Sequence, residues 1–277
     1  MPVRKTLSHE EYVTFQKFLE DACGIVLGVG KEYLVSSRLS GLMRESGIAN
    51  VGDLLTQLRT DRTSKLKTAI IDAMTTNETF WFRDMAHFRM LTEKAFPEIL
   101  GRQSGRPLRI WSAACSSGQE PYNLSMIAHD YQMRNPGRVS NVEIVATDIS
   151  TTILQDAKKG IYCGIAASRG LTQDQRSRYF LAKGDCLEVR PEVKRRVTFR
   201  ELNLTKGYEL LGKFDVVFCR NVLIYFSSEQ KQDILRRIAR SLNPGGYLFM
   251  GSTESLSAHS DQYEMVSALG GIAYRLK

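Results

Sequence analysis

The sequence predicts an α/β protein in which a mostly parallel sheet carries helices on both faces and follows a small all-α region. Three observations support this prediction. The first hundred residues show apolar side chains at helical spacing, and from Pro107 onward short apolar strands alternate with helices. That alternation is typical of a parallel sheet covered on both faces. An insertion over about residues 160–196 exceeds what a minimal crossover needs.

The all-α region begins with a capping box at Ser8 and Glu11, which marks a helix N-terminus. Apolar residues then recur at helical spacing, and "KEYLVSSRLSGLMRESG" continues the pattern with Gly47 as its stop. Further helices are expected at "VGDLLTQLR", "SKLKTAIIDAMTT" and "MAHFRMLTEKAFPEIL". We therefore expect an all-α domain at 1–75 and a linker with a lid helix at 76–106.

The α/β domain is expected to span residues 107–277, with the insertion at about 160–196. Its predicted strands are "LRIWSA", "VEIVAT", "RVTFREL", "FDVVFC" and "GYLFMGS". Its predicted helices are "EPYNLSMIAHDYQM", "STTILQDAKKG" and "SEQKQDILRRIARSLN". A closing antiparallel hairpin is expected around Gly270 and Gly271 in "YEMVSALGGIAYRLK".

Composition narrows the class of protein. The 277 residues are 43% hydrophobic and 25% charged, and no uninterrupted apolar run approaches the roughly 18 to 20 residues of a membrane span. The first residues do not resemble a signal peptide, so a cytoplasmic location without membrane insertion is expected. Five scattered cysteines without a C-x-x-C pair, and four histidines, predict no metal site. We expect the thiols to be reduced and mostly structural.

The net charge of +8 is concentrated in one segment. Residues 158–200 hold eleven Lys and Arg against four Asp and Glu, which accounts for nearly all of the excess. Such a segment is typical of a docking face for an acidic partner or for nucleic acid, although an ordinary solvated patch would look the same.

Candidate binding residues follow the strands. Ligands of open α/β sheets bind beyond the carboxyl ends of the strands, near the point where strand order reverses. The small residues 112–118 follow the first strand and predict a tight turn that lets backbone approach a ligand. A G-x-G-x-x-G fingerprint is absent, which disfavours a nicotinamide enzyme. Asp148 ends the second strand and fits a ribose, although an Asp there also caps helices.

The strand "FDVVFC" is followed by Arg220, Asn221 and Tyr225, polar residues at the same expected edge of the sheet. Tyr225 would also suit ordinary packing. The stretch "TTNETFWFRD" sets Asn77, Thr79 and Arg83 around three aromatic residues ahead of the first strand, and buried polar side chains need partners.

These motifs together resemble the CheR-type chemotaxis receptor methyltransferases. The resemblance is carried by "TTNETFWFRD", "WSAACSSGQEPYNLSM", "ATDIS", "NL" at 203–204 and "FDVVFCRNVLIYF", and it covers nearly the whole chain. It implies a Rossmann-like class I methyltransferase sheet, an all-α N-terminal domain and an inserted antiparallel β-subdomain. It also implies S-adenosylmethionine as cofactor and S-adenosylhomocysteine as product.

Position by position, the resemblance implies a set of site residues. The expected cofactor-binding residues are Asn77, Thr79, Arg83, Glu120, Asp148, Asn203, Leu204, Arg220 and Asn221, and the expected catalytic residues are Arg83 and Tyr225. Asp148 would hold the ribose, and Asn203 and Leu204 would flank the adenine. Gln119 stands where the family usually has a first acid, so any role of that acid is in doubt. The decapeptide "TTNETFWFRD", residues 75–84, would form a lid over the cofactor. At least two of its three aromatic side chains would pack in the protein interior.

The implied reaction is methyl transfer to receptor glutamates. A glutamate side chain has an ordinary pKa of about 4.3 and is ionised at neutral pH, so no general base is required and the enzyme positions its reactants. None of His9, His87, His129 and His259 lies at a predicted strand tip. We expect Arg83 and Tyr225 to position groups rather than to move protons.

The implied partners are the cytoplasmic helical bundles of chemoreceptors. The basic segment 158–200 and Lys31, Arg38 and Arg44 are expected to face them, and the protein is expected to be a monomer that binds no nucleic acid. Two alternatives stay open: a nucleic-acid methyltransferase, although the N-P-P-Y-like motif is missing, and a non-catalytic S-adenosylmethionine-binding adaptor.

Overall fold

The computed structural model describes residues 7–102, 105–139, 141–256 and 261–277, and it confirms the predicted fold class. Within these ranges the N-terminal region consists of α1 (His9–Cys23), α2 (Glu32–Glu45), α3 (Val51–Thr60) and α4 (Lys65–Met74). The predicted capping box is formed, because Ser8 Oγ accepts from the Glu11 amide at 3.2 Å and Glu11 Oε2 accepts from the Ser8 amide at 2.9 Å. The apolar faces of the four helices share one core, which includes Phe15, Leu39, Leu54 and Ile70.

The linker forms a helical stretch with an irregularity. It comprises α5 (Met85–Met90), a π-helical turn (Leu91–Ala95) and α6 (Phe96–Arg102), where the sequence predicted one continuous helix. The π-helical turn lies just before Pro97, which has no backbone N–H to donate into a helical ladder.

The α/β domain follows in the predicted alternation. Its elements are β1 (Leu108–Ala113), α7 (Gln119–Arg134), β2 (Val142–Asp148), α8 (Thr151–Lys159), β3 (Ile161–Cys163), α9 (Gln173–Tyr179), β4 (Phe180–Lys183), β5 (Cys186–Val189), α10 (Pro191–Lys194), β6 (Val197–Glu201), β7 (Phe214–Cys219), α11 (Ser228–Ser241), β8 (Leu242–Phe249), β9 (Tyr263–Ala268) and β10 (Gly271–Leu276). The strand β8 begins earlier than predicted and takes residues that the sequence assigned to the preceding helix.

The strands of the main sheet lie in the order β6-β2-β1-β7-β8-β10-β9 across the described chain. The first five strands are parallel to one another, whereas β10 is antiparallel to both β8 and β9. Leu269 and Gly270 both have positive φ at the turn of this hairpin, which confirms its predicted position. Strand order reverses between β1 and β7, so the carboxyl ends of these strands frame a crevice.

Both faces of the sheet are covered, as continuous apolar strands require. Successive residues point to opposite faces, so Ile110 and Val216 join one core while Trp111 and Val217 join the other. These four side chains are fully buried. The packed sheet therefore gives the strand ends a rigid base.

The insertion forms its own antiparallel sheet in the order β3-β5-β4. Its register places Cys163 opposite Cys186, and the two are joined in a disulfide. The expectation of reduced thiols is therefore wrong for this pair, because strand register rather than sequence spacing brings them together. The other cysteines are buried free thiols, as expected. The domain boundaries given above stay a prediction.

None of the helices in the described ranges combines the length and the apolar character that a membrane crossing would need.

The disulfide predicts a measurable thiol count. Alkylation of the unfolded, unreduced protein is expected to modify only Cys23, Cys115 and Cys219, and prior reduction should add two adducts by mass spectrometry. Because the bridge closes a loop with a sequence separation of 23 residues, its reduction should lower the free energy of unfolding by about 3 kcal/mol. Full modification without reduction would contradict the pairing.

Candidate active site

A cavity of about 290 Å³ lies beyond the carboxyl ends of β1, β2 and β7. This volume is close to the lower end of the roughly 300 to 1,000 Å³ range of small-molecule sites. Its walls come from the segment 74–80, the turn 114–116 and the N-terminal region at 23–28. The all-α region thus contributes a wall to a site whose floor is the sheet.

The structure brings all the predicted site residues to this one cavity. Its lining includes Asn77, Thr79, Arg83, Glu120, Asp148, Asn203, Leu204, Arg220, Asn221 and Tyr225. These residues come from the linker, from α7, from the end of β2 and from the loops that follow β6 and β7, so they are distant in sequence. Their individual roles stay predictions.

Arg220 holds the parts of the site together. Its side chain is 3% exposed, and its guanidinium contacts Glu120 Oε2 at 2.9 Å and Asp84 Oδ2 at 2.6 Å. It also donates to the carbonyl of Arg83 at 2.8 Å, and Glu120 accepts from Ser112 Oγ at 2.7 Å. One buried cation therefore joins β7, α7 and the linker. Asp84 was not among the predicted site residues, although this acid ends the quoted decapeptide.

Asp148 lies at the tip of β2, as predicted. Its two oxygens accept from the backbone amides of Ser116 at 2.8 Å and Ser150 at 3.0 Å. Burial raises the pKa of this carboxyl, and the backbone hydrogen bonds oppose that rise. Each carboxylate oxygen has a further lone pair, so Asp148 keeps the capacity to accept from a ligand hydroxyl.

Asn203 and Leu204 link the site to the all-α region. Asn203 Nδ2 donates to the carbonyl of Ala22 at 2.9 Å, and Asn203 Oδ1 accepts from the amide and hydroxyl of Thr205. Leu204 is buried in the cavity wall. The end of α1 is thereby fixed against the loop after β6.

Backbone conformation is unusual around the cavity. Phe82, Asp84, Ala114, Ser116 and Asn221 all have φ between 51° and 59°, the left-handed region that non-glycine residues rarely adopt. Such conformations cost of order 1 to 3 kcal/mol each and persist where the surrounding structure holds them. The strain is therefore concentrated at the site.

Glu254 is a residue of the site that was not predicted from the sequence. Its Oε2 accepts from the amides of Asn221 at 2.6 Å and Gly251 at 2.8 Å. The carboxylate thus joins the ends of β7 and β8 and supports the left-handed conformation of Asn221. No local sequence signal marked Glu254, because it acts across two neighbouring strands.

Asn123 is a second residue that was not predicted. It lines the cavity at 1% exposure, and its amide nitrogen and oxygen have no hydrogen-bond partner within the described ranges. A buried, unpaired amide is costly, and a polar ligand at the floor of the cavity would satisfy it.

Gln119, which stands where the family usually has an acid, is buried. Its side-chain oxygen accepts from Ser117 Oγ at 2.8 Å, so Gln119 supports the turn before α7.

Two of the three aromatic residues of the decapeptide pack in the interior, as expected. Trp81 is 1% exposed, packs edge-on against Tyr162 and Phe180, and donates from Nε1 to the carbonyl of Ala166 at 2.7 Å. Phe82 is also buried, against Phe88. Phe80 alone of the three lines the cavity.

The three basic residues singled out near α2 have different surroundings. Arg38 donates to the carbonyls of Met74 and Thr75 and to Thr76 Oγ1, so it braces the start of the decapeptide. Lys31 lines the cavity, and Arg44 is exposed.

Two titratable groups beside the site are held neutral. Burial and the nearby Arg220 charge lower the pKa of His87 to about 4. Burial raises the pKa of the Cys115 thiol well above its usual value. Among the described residues no group of three or more His, Cys, Asp or Glu is arranged to hold a metal ion. His259 lies outside the described residues. His87 is therefore a weaker base than an ordinary histidine, and the Cys115 thiol stays protonated at neutral pH.

Comparison with known proteins gives a consistent result. The family model described as CheR methyltransferase, SAM binding domain, matches residues 77–271, and the model of the CheR methyltransferase all-alpha domain matches residues 10–75. A chemotaxis protein methyltransferase of Vibrio anguillarum is 50% identical over 98% of both chains. Chemotaxis protein methyltransferase 1 of Pseudomonas aeruginosa is 51% identical over 98% of this chain and 99% of the relative. A chemotaxis protein methyltransferase of Escherichia coli is 37% identical over 93% of this chain and 88% of the relative.

The depressed pKa of His87 predicts acid-sensitive stability. The folded protein holds His87 neutral down to about pH 4, whereas the unfolded chain protonates it near pH 6.5. Stability is therefore unaffected by this group above pH 6.5 and falls as the pH drops towards 4, by about 3 kcal/mol. Urea unfolding across this range should show that His87→Gln loses less stability than the wild type. The exposed His9→Gln is the matched control, and equal pH dependence in all three proteins would contradict the prediction.

Proposed function

This chain belongs to the CheR methyltransferase family, and on that premise we propose that it transfers a methyl group to glutamate side chains of chemoreceptors. The products are glutamyl methyl esters and S-adenosylhomocysteine, and the biological role is adaptation in chemotaxis signalling. The observation that carries the proposal is the single cavity at the reversal of strand order. Both family-matched domains line it, and every predicted site residue contributes to it.

The cavity fits S-adenosylmethionine chemically. The cofactor combines an adenosine with a charged amino acid, and the lining combines apolar side chains such as Leu204 with the acids Glu120 and Asp148. We assign Asp148 to the ribose hydroxyls, because it retains acceptor capacity at the tip of β2. The unpaired amide of Asn123 supports a polar group at the floor.

The remaining assignments follow the cavity wall. Asn77, Thr79 and Glu120 would hold the methionine part of the cofactor, and Asn203 and Leu204 would flank the adenine. Arg220 acts by keeping Glu120 and the linker in place, since its guanidinium is already shared between two carboxylates. Asn221 completes the pocket in the left-handed conformation that Glu254 supports.

The chemistry requires alignment rather than a base. When bound, S-adenosylmethionine supplies an electrophilic methyl group on a sulfonium. The receptor glutamate is ionised at neutral pH, and His87 and Cys115 are held in neutral forms that do not compete with it. Arg83 and Tyr225 line the cavity, where we expect them to orient the incoming carboxylate without taking its proton.

Excluding water would favour this reaction. The nucleophile is negative and the methyl donor is positive, so charge is lost as the transition state forms, and a poorly solvated site favours such a loss of charge. Residues of the decapeptide and of the segment 23–28 line the cavity and would provide that exclusion. Too strong an ion pair between Arg83 and the carboxylate would stabilise the ground state, so a positioning contact is the better role.

The partner is proposed to be the cytoplasmic helical bundle of a chemoreceptor. Its acidic helices would meet the basic segment 158–200 and the cations Lys31 and Arg44. Arg38 is a weaker candidate for this contact, because its guanidinium is occupied by the start of the decapeptide.

The proposed function predicts base-labile label on receptors. Incubation with S-adenosylmethionine labelled in the methyl group and with chemoreceptor membranes should label the receptor, and mild base should release the label as methanol. Label on nucleic acid that resists base would contradict the proposal. Cofactor binding without labelling of any receptor would favour an adaptor.

Tyr225→Phe tests the positioning role of the hydroxyl. Loss of one hydrogen bond should lower turnover roughly 2- to 10-fold and leave the dissociation constant of the cofactor unchanged. Tyr208→Phe is the matched control, because the Tyr208 hydroxyl donates to the carbonyl of Ile234 away from the cavity. Full turnover in Tyr225→Phe would remove Tyr225 from the mechanism.

A further inference from the structure

The inserted β-subdomain contributes a cation to the rim of the cavity. Arg169 lies between the 3-10 turn 164–167 and α9, and its guanidinium carbon is 4.1 Å from the ring centroid of Phe80. Its Nη1 is 3.3 Å from Glu78 Oε1. Glu78 and Phe80 both line the cavity, so Arg169 contacts two of the lining residues.

The loop that carries Arg169 is fixed against the decapeptide. The backbone carbonyl of Arg169 accepts from the Trp81 amide at 3.3 Å, and Ala166 accepts from Trp81 Nε1 at 2.7 Å. At Gly170, which has a φ of 92°, a Cβ atom would lie 2.0 Å from the carbonyl oxygen of Trp81. Only glycine permits this approach. The position of Arg169 relative to the cavity is therefore set by the fold and not by its own side chain alone.

Without a compensating cation, the negative charge of Glu78 at the rim of the cavity would repel the negatively charged substrate. The side chain of Glu78 is 71% exposed, and a carboxylate there repels an approaching glutamate. Arg169, whose side chain is 51% exposed, offsets that charge while remaining accessible from solvent. Arg83 lies 5.6 Å from the same Phe80 ring, so two guanidinium groups flank one aromatic side chain of the cavity lining.

We propose that Arg169 is a substrate-binding residue that neutralises Glu78 and, together with Arg83, presents a positive rim to the acidic receptor segment around the target glutamate. This role rests on the proposed function and extends it, because it assigns part of substrate selection to the inserted subdomain at the mouth of the active site. Complementary charge at the edge of a binding site acts mainly on the encounter of the partners and on specificity. Loss of the Arg169 charge is therefore expected to change KM for the receptor and to leave kcat unchanged.

The test is a kinetic comparison of variants with the cytoplasmic fragment of a chemoreceptor as the substrate. Arg169→Ala should raise KM for the receptor about three- to fivefold, with kcat and the dissociation constant of S-adenosylmethionine unchanged. Arg169→Lys keeps the charge and should restore most of the affinity. Added salt should reduce the difference between wild type and Arg169→Ala.

A double-mutant cycle isolates the contribution of Glu78. Glu78→Gln in the Arg169→Ala background should return KM towards the wild-type value, because the uncompensated carboxylate is gone. Arg134→Ala is the matched control, since it removes an exposed cation that lies outside the basic segment 158–200 and away from the cavity, and it should leave KM unchanged.

The outcomes separate the two proposals. Wild-type enzyme that fails to label any receptor overturns the proposed function, and this inference falls with it. Wild-type enzyme that labels the receptor while Arg169→Ala shows an unchanged KM overturns the inference alone. A fall in kcat with unchanged KM, or an equal rise in KM for Arg134→Ala, would also overturn it.

Discussion

The shared ion pairing of Arg220 is the interaction on which the site depends. A buried guanidinium requires compensating carboxylates, and here Asp84 and Glu120 supply them from two different elements. The requirement couples the end of β7 to the start of α7 and to the linker. Because Arg83 immediately precedes Asp84 and its carbonyl also accepts from Arg220, the same cation anchors the end of the decapeptide at the cavity.

The all-α region is part of the site rather than an attachment to it. Asn203 binds the end of α1, and the Val26 amide donates to the carbonyl of Tyr225 at 2.9 Å. On the opposite side, Asp72 accepts from the amide of Thr151 at 3.1 Å and from the hydroxyl of Thr152 at 2.8 Å. Residues 23–28 line the cavity, so the helical region and the sheet both contribute to its walls.

Much of the fold could be predicted from the sequence because its signals are local. Alternating apolar strands and capped helices specify each element through neighbours in the chain, and strand tips such as Asp148 and Arg220 follow from the rule that parallel strands end at one edge. The disulfide between Cys163 and Cys186 could not be predicted, because it depends on strand register. Asp84 and Glu254 were missed because each acts through a contact set by tertiary packing. Asn123 was missed because only the folded position of α7 places its unpaired amide at the cavity. The family resemblance identified the residues of the cavity, but only the folded structure shows that Arg220 is occupied by two acids.

The cavity at the reversal of strand order is proposed to bind the methyl donor in the orientation that the site residues imply. A crystal structure with S-adenosylhomocysteine is the decisive measurement. We expect the ribose hydroxyls within hydrogen-bond distance of Asp148, the adenine beside Asn203 and Leu204, and the Arg220 pairing with Asp84 and Glu120 intact. Product bound outside this cavity, or bound with the ribose away from Asp148, would contradict this assignment of the site.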